Sequence, residues 1–244
     1  MTVVATSDET TEDRLLGGRV TIHQPARGMR VSLDPLLLAA FVTPPFGRFL
    51  DIGAGTGALS FLLLARDPAA SGVGVELQPR LAALAVRGRD DNGWRERLAL
   101  IEGDVRTASE RLPAAGFDLV ATNPPYRSLE DGNPSPDEER ALAHHEVALR
   151  LPEWVDCAAR AVRPGGRVAA ILPASRTPEL LAAFAARDLG SLRLRPVHPH
   201  ADRPASRVLV EAQRAGRRPF TIEPPLVVHD PGGGYTAEVA KMLV

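Results

Sequence analysis

A short apolar run leads into three alternating glycines in the sequence Phe49-Leu50-Asp51-Ile52-Gly53-Ala54-Gly55-Thr56-Gly57. The run predicts a buried strand, Arg48–Ile52, and the apolar residues that follow predict a helix, Gly57–Arg66. Glycines between a strand and a helix allow a sharp turn and let a ligand approach the helix N-terminus without a Cβ in the way. The feature therefore predicts a nucleotide-binding turn in an α/β fold, with a purely structural tight turn as the alternative. Because Gly53-x-Gly55-x-x-Ala58 also fits a dinucleotide fingerprint, the turn does not select the ligand.

Strand and helix patterns alternate along the rest of the chain. The further predicted strands are Gly72–Leu77, Leu98–Glu102, Phe117–Thr122, Arg167–Leu172, Leu192–Val197 and Ser206–Ala212. The further predicted helices are Pro79–Asp91, about Asp137–Leu149, Pro152–Val162 and about Pro178–Arg187. This alternation predicts a seven-stranded, mostly parallel α/β sheet with helices on both faces. The last two strands, joined without a helix, predict an antiparallel edge.

The two ends of the chain have patterns of their own. Residues 1–13 lack periodicity and are expected to form a disordered tail. We expect one domain over residues 14–244, with a cap at 14–45 and a Rossmann-like core at 46–244. The cap would hold a hairpin around Gly17-Gly18 and a helix, Leu33–Val42. The segment Pro219–Gly234 is expected to pack back on the surface before a short helix, Thr236–Leu243.

Composition narrows the class of protein. Of the 244 residues, 44% are hydrophobic and 24% are charged, which excludes wholesale disorder. The single cysteine, Cys157, excludes an intramolecular disulfide and any cysteine-based metal site, and we expect no bound metal. No apolar run approaches the ~18 residues of a membrane span. The polar, acidic N-terminus does not resemble a signal peptide. We therefore expect a cytoplasmic protein without a membrane partner.

Acidic residues follow two of the predicted strands. Glu76 lies at the end of the strand after the glycine turn, and Asp104 follows the next strand. A carboxylate at the first position can accept both ribose hydroxyls of an adenosine, and one at the second can accept the adenine amino group. A solvated acid at a strand end is the alternative for either residue alone. Together, after a glycine turn, they favour an adenosine-containing ligand.

The most specific motif is Asn123-Pro124-Pro125-Tyr126, at the end of the predicted strand Phe117–Thr122. The Asn123 side-chain oxygen and the Pro124 carbonyl can both accept hydrogen bonds from one planar NH₂ group, and the Tyr126 ring can stack on the base that carries it. Two acceptors on one amino group localise the nitrogen lone pair and make the nitrogen a better nucleophile. The alternative is a rigid Pro-Pro turn.

In this order and spacing, Gly53–Gly57, Glu76, Asp104 and the Asn-Pro-Pro-Tyr motif resemble the amino-methylating class I S-adenosylmethionine-dependent methyltransferases. This group includes adenine-N6 methyltransferases of DNA and RNA and glutamine-N5 methyltransferases of release factors. Further segments resemble the bacterial tRNA adenine-N6 methyltransferases that modify valine tRNA beside the anticodon. These segments are Gln24-Pro25, Gly28–Leu38, Pro199–Ala212 and Gly234-Tyr235-Thr236. The resemblance spans about residues 15–244.

The resemblance implies that the cofactor is S-adenosylmethionine and that the substrate is RNA, in particular tRNA. It also implies a set of site residues. The catalytic residues would be Asn123, Pro124 and Tyr126. The cofactor would contact Arg30, Ser32, Asp34, Asp51, Gly53, Gly55, Gly57, Glu76, Leu77, Asp104, Val105 and Asn123, with Arg30–Leu37 covering its methionine end. The substrate would contact Pro125, Tyr126 and His144. A protein-glutamine N5-methyltransferase remains an alternative, as do an NAD-binding oxidoreductase and a non-catalytic RNA-binding scaffold.

Two charged features allow two interpretations each. The formal net charge of −1 argues against a protein that coats nucleic acid but permits a local basic patch. Eight arginines could form such a patch or could be solvated side chains on edge strands: Arg187, Arg193, Arg195, Arg203, Arg207, Arg214, Arg217 and Arg218. His144-His145-Glu146 could contact substrate or lie on an exposed helix face.

Overall fold

The computed structural model describes residues 9–27, 30–124 and 149–244. Its strands are β1 (Thr10–Leu15), β2 (Val20–Pro25), β3 (Arg48–Ile52), β4 (Ser71–Glu76), β5 (Leu98–Glu102), β6 (Phe117–Thr122), β7 (Val162–Pro173), β8 (Leu189–His198), β9 (Arg207–Arg214), β10 (Thr221–Ile222) and β11 (Leu226–Val227). Its helices are α1 (Asp34–Phe41), α2 (Ala58–Arg66), α3 (Pro79–Asp91), α4 (Val105–Arg111), α5 (Leu151–Ala161), α6 (Thr177–Ala185) and α7 (Ala237–Met242).

The main sheet has the order β10-β8-β9-β7-β6-β3-β4-β5, and β11 adds to β8. Strands β5, β4, β3, β6 and β7 run parallel, as predicted. Strand β9 is antiparallel to both β7 and β8. The antiparallel strand β9 therefore lies inside the sheet, between β8 and β7, rather than at its edge. Two two-residue strands, β10 and β11, extend the seven predicted strands to nine.

Alternate residues of the central strands face two separate hydrophobic layers. Phe49, Leu119 and Ile171 pack on one side with α1, α2 and the hairpin. Leu50, Val120 and Leu172 pack on the other side with residues of α4, α5 and α6. Because both faces are covered, the strands are apolar along their length, which is the pattern expected for a parallel sheet.

The N-terminal hairpin starts earlier than predicted. Strand β1 pairs with β2 from Thr10↔Pro25 to Leu15↔Val20, so the expected tail at residues 1–13 is wrong over 10–13. Strand β1 is polar, and hydrogen bonds to β2 hold it in place. For example, the Asp13 carboxylate accepts from Gln24 Nε2 at 2.9 Å. The hairpin is fixed to α3 by a 2.6 Å contact between His23 Nε2 and Asp91 Oδ2.

The remaining predicted strands and helices agree with the structure to different degrees. The strands predicted at Arg48–Ile52, Leu98–Glu102 and Phe117–Thr122 are confirmed. Helix α4 was not predicted, and the helix expected near Asp137–Leu149 lies almost wholly outside the described residues. In the described part of the chain, no helix is long and apolar enough to cross a membrane.

Candidate cofactor and substrate site

Four adjacent parallel strands end side by side at one edge of the sheet. Ile52 of β3 pairs with Thr122 of β6 on one side and with Val75 of β4 on the other. Glu76 pairs with Glu102 of β5. The strand order reverses between β3 and β6, which is where open α/β sheets bind ligands. The glycine turn, Glu76, Asp104 and Asn123 are thus brought to a single crevice, as the sequence predicts.

The glycine turn follows β3 and presents open space on its outer side. Gly53 and Gly55 have φ of 72° and 57°, and a Cβ built on either meets no atom within 4 Å. The backbone N–H groups of Gly53 and Ala54 both donate to the Val75 carbonyl at 3.0 Å, which fixes the turn on β4. Only glycine adopts such positive φ readily, and the missing side chains leave open space through which a ligand can approach the turn.

Gly57 has a different role from the other two glycines. Its φ is 89°, and a Cβ there would lie 2.6 Å from the Phe61 ring. Gly57 caps the start of α2 and lets that helix pack closely on the turn. It therefore shapes the turn without lining its open side.

Glu76 is buried at the end of β4, with 7% of its surface exposed. One carboxylate oxygen accepts from the Gly55 N–H and the other from the Gln78 N–H, each at 2.8 Å. These bonds tie Glu76 to the glycine turn and orient its carboxylate. Each oxygen retains a further lone pair, so the carboxylate can still accept hydroxyl donors.

Asp51 lies at the end of β3 and is 1% exposed. Its Oδ2 accepts from the Ser60 hydroxyl at 2.7 Å and from the Ser60 N–H at 3.1 Å, which joins β3 to the first turn of α2. Burial raises the pKa of Asp51 to about 7, although the hydrogen bonds from Ser60 act to lower it. Sequence reasoning missed Ser60; its signal is a lone hydroxyl in the first turn after the glycines.

Asp104 serves as the N-cap of α4. Its carboxylate accepts from the Arg106 N–H at 2.8 Å and from the Arg106 guanidinium. Partial burial acts to raise the pKa of this carboxyl, but the hydrogen bonds from Arg106 outweigh it and hold the pKa below its usual range. The two neighbouring residues that were also predicted to contact the cofactor differ in exposure: Leu77 is 41% exposed, whereas Val105 is buried. Leu77 thus offers an apolar surface beside Glu76.

Asn123 follows the end of β6 and carries a buried side-chain acceptor. It directly follows Thr122, whose hydroxyl donates to the Ile52 carbonyl at 2.8 Å, so it lies beside the glycine turn. The Asn123 Oδ1 is buried and accepts no hydrogen bond from the described residues. A buried acceptor without a donor is costly, which points to a donor supplied by a ligand. Pro124 is buried next to it, whereas the predicted site residues Pro125, Tyr126 and His144 lie outside the described residues.

The three predicted contacts Arg30, Ser32 and Asp34 lie just before α1 and at its first residue, and each has a hydrogen-bond partner within the chain. The Arg30 guanidinium donates to Asp13 at 2.8 Å, and the Ser32 hydroxyl accepts from the Asp34 N–H at 3.3 Å. The Asp34 carboxylate accepts from Arg207 Nε at 3.2 Å. Arg207 pairs with Pro173 at the end of β7, so Asp34 reaches the same edge of the sheet as the glycine turn.

The eight C-terminal arginines do not form an open basic patch. Six have partners: Arg187 with Asp156, Arg193 with Glu211 and Glu223, Arg195 with Glu238, Arg207 with Asp34, Arg214 with the Val162 carbonyl, and Arg217 with Asp188. The guanidinium groups of Arg203 and Arg218 have no partner within the described ranges. Most of this positive charge is therefore neutralised within the chain.

Comparison with known proteins gives these features a context. The methyltransferase small domain family matches residues 33–139. A tRNA1(Val) (adenine(37)-N6)-methyltransferase of Porphyromonas gingivalis is 32% identical over 235 residues, covering 92% of this chain and 91% of that protein. One of the same name from Aeromonas hydrophila is 32% identical over 210 residues, covering 85% and 86%. A structure from Agrobacterium tumefaciens, described as a predicted O-methyltransferase, is 26% identical, has a TM-score of 0.70, and covers 86% of this chain and 94% of its own.

Proposed function

Because the chain belongs to the tRNA1(Val) (adenine(37)-N6)-methyltransferase family, we propose that it methylates the N6 amino group of an adenine in tRNA. The methyl donor of this family is S-adenosylmethionine. The observation that carries the proposal is the buried Asn123 Oδ1, which lacks a donor among the described residues and lies beside the glycine turn. An exocyclic amino group is a donor of the kind that this oxygen requires.

The residues at the strand ends fit an adenosine-containing methyl donor. We assign the ribose hydroxyls to Glu76, the adenine to Leu77, Asp104 and Val105, and the backbone cradle to Gly53 and Gly55. Exposed apolar surface at Leu77 and open space above both glycines support this assignment. We assign the methionine end to Arg30, Ser32 and Asp34. When bound, S-adenosylmethionine supplies an electrophilic methyl group on a sulfonium.

In this proposal Asn123 and Pro124 prepare the amino group. The Asn123 Oδ1 and the Pro124 carbonyl each accept one of its two N–H bonds, which orients the nitrogen lone pair toward the methyl. Alignment of the two reactants supplies the main rate enhancement, and the nitrogen loses its extra proton after methylation, so no strong base is required. Asp51 is not assigned as a base, because its Oδ2 is bonded to Ser60 under the turn. Tyr126 is assigned to stack on the target base.

A methyl-transfer assay with two classes of acceptor tests the proposal. Purified enzyme is incubated with labelled S-adenosylmethionine and either an unmodified tRNA1(Val) transcript or a release factor. We expect label in tRNA, recovered as N6-methyladenosine, and no label when adenine 37 is replaced by guanine. Label confined to the release factor would instead establish glutamine methylation, since an amide NH₂ fits the same two acceptors.

A further inference from the structure

Three aromatic side chains form a ladder at the C-terminal side of the sheet. The rings of His229 and Tyr235 are stacked, with centroids 5.2 Å apart and planes at 18°. The ring of His200 packs against that of His229, with centroids 5.4 Å apart and planes at 34°. We call these three residues the aromatic ladder. None of them is used by the proposed methyl transfer.

Backbone hydrogen bonds hold the ladder in place. The Val228 N–H donates to the His198 carbonyl at 2.8 Å, and the His229 N–H donates to the Pro199 carbonyl at 3.0 Å. His229 also forms an antiparallel bridge with Tyr235. These bonds fix the chain on both sides of the rings, so the ladder is already ordered before any ligand arrives. A preordered stacking surface loses little entropy on binding.

The ladder lies at the same edge of the sheet as Asn123. Strand β8 is antiparallel to β9, which is antiparallel to β7, so β8 runs in the direction of the central strands. His200 follows the end of β8, and His229 follows β11, which is parallel to β8. The ladder therefore flanks the crevice on the β8 side, whereas Glu76 and Asp104 lie on the β5 side.

Two observations indicate that the ladder binds something outside the described chain. Tyr235 is 46% exposed, so part of its surface is open to a ligand. The His229 Nδ1 is buried and has no hydrogen-bond partner among the described residues. The same Tyr235 lines a groove of about 350 Å³ with Arg30 and Ser32, which are assigned to the methionine end of the cofactor, so the ladder borders the cofactor site. That volume lies within the range of small-ligand pockets, roughly 300–1,000 Å³.

The chemistry of the surface favours an unpaired nucleobase. Stacked rings bind planar π-systems and leave the base edges free, as in proteins that bind single-stranded nucleic acid. The backbone of Arg203 lies beside the ladder, since its N–H donates to the His200 carbonyl at 3.1 Å, and its guanidinium has no partner among the described residues. Asp202 and Asp230 are exposed on the same loops, which disfavours a surface that relies on charge alone. Stacking is thus the main interaction that this surface offers.

We propose that the aromatic ladder, with Tyr235 as its exposed ring, stacks on an unpaired base of the substrate RNA next to the nucleotide that is methylated. This inference rests on the proposed function, because it assumes an RNA substrate at the Asn123 crevice. It adds a second base-binding position to that crevice. The exposed face of the Tyr235 ring would receive this base, beside the segment assigned to the cofactor.

The test compares Tyr235→Ala with Tyr235→Phe, which keeps the ring. Phe220→Ala is the matched control, because Phe220 is 47% exposed and precedes β10, which pairs with the middle of β8 away from the crevice. Binding of an anticodon stem–loop RNA is measured with S-adenosylhomocysteine present, and the KM for tRNA is measured separately. We expect Tyr235→Ala to weaken RNA binding by about 5- to 150-fold, the cost of one lost stacked base. Tyr235→Phe and Phe220→Ala should change it by less than about twofold.

The outcomes separate this inference from the proposed function. Unchanged RNA affinity in Tyr235→Ala would overturn the inference, even if the wild-type enzyme methylates tRNA. Failure of the wild-type enzyme to methylate tRNA would overturn the proposed function and, with it, the inference that rests on it. Tyr235→Leu keeps the apolar packing but lacks the ring, and it should reproduce the loss if Tyr235→Ala misfolds. The midpoint of thermal unfolding checks that each variant is folded.

Discussion

The Asn123 side-chain oxygen is buried without a donor in the described chain, which is unfavourable for the folded protein alone. Asn123→Ala removes that oxygen. We therefore expect the free energy of unfolding to stay the same or to rise, while methyl transfer is lost and the affinity for S-adenosylhomocysteine is unchanged. Thermal unfolding, calorimetry and a transfer assay measure the three quantities. A large loss of stability would mean that Asn123 has a structural role instead.

Asp51 gives a second prediction for a single residue. Its pKa in the folded protein is raised from 3.8 to about 7, so the folded state retains a proton that the unfolded state has lost. The contribution of Asp51 to stability is therefore complete below about pH 4 and is lost as pH rises toward 7.

We expect Asp51→Asn to flatten the pH dependence of the free energy of unfolding between pH 4 and 7, by at most about 4 kcal/mol. Denaturant titrations across that range measure the effect. The carboxyls of Asp104 and Asp118 have lowered pKa values, so they change the free energy of unfolding only below that pH range. They therefore do not mask the effect of Asp51. Parallel curves for Asp51→Asn and the wild-type protein would show that the Asp51 carboxyl does not titrate there.

At the scale of elements, the unit formed by β3, the glycine turn and α2 contains two glycines with different expected roles. We expect Gly57 to matter mainly for stability and Gly53 mainly for cofactor binding. Gly53 and Gly57 both have positive φ, so alanine strains either by about 1–2 kcal/mol. At Gly57 the added Cβ would also meet the Phe61 ring at 2.6 Å, whereas at Gly53 it would extend into open space beside the turn. We expect Gly57→Ala to lower the melting temperature more than Gly53→Ala does.

The order of the two variants should reverse in cofactor affinity. Calorimetry with S-adenosylhomocysteine should show the larger loss for Gly53→Ala, provided both proteins are folded at the assay temperature. Equal losses of affinity would indicate that Gly53 does not face the cofactor.

The central elements could be predicted because their apolar runs are bounded by glycine and proline. Strand β3 and helix α3 follow such signals, and their predicted bounds match the structure. Helix α4 has no apolar stripe and begins at the Asp104 cap, so periodicity could not reveal it. Strand β1 is polar and is held by pairing with β2, which is a tertiary effect absent from local sequence.

The residues of the candidate site also divide into those that the sequence could predict and those that it could not. The glycine turn, Glu76 and Asn123 were predictable because each follows a strand, and parallel strands end at a common edge. The aromatic ladder was not, because its residues come from segments separated along the chain and meet only through β8 and β11. The ion pairs of the C-terminal arginines depend on the same long-range contacts.

On the scale of the whole molecule, the charge distribution limits how RNA can bind. The net charge is −1, and six of the eight C-terminal arginines have partners in the chain. Counterion release on binding depends on the cations that contact phosphates. We expect Arg203→Ala to reduce the slope of log affinity against log salt by about 1. Arg217→Ala, which removes an exposed arginine paired with Asp188, is the control and should leave the slope unchanged.

The most direct measurement of the central claim is nucleoside mass spectrometry of tRNA from a strain that lacks this protein. The strain is complemented with the wild-type chain or with Asn123→Ala at matched expression. We predict that N6-methyladenosine is absent from tRNA1(Val) in the deletion strain, returns with the wild-type chain and does not return with Asn123→Ala. An unchanged level of N6-methyladenosine in the deletion strain, or full restoration by Asn123→Ala, would contradict the account.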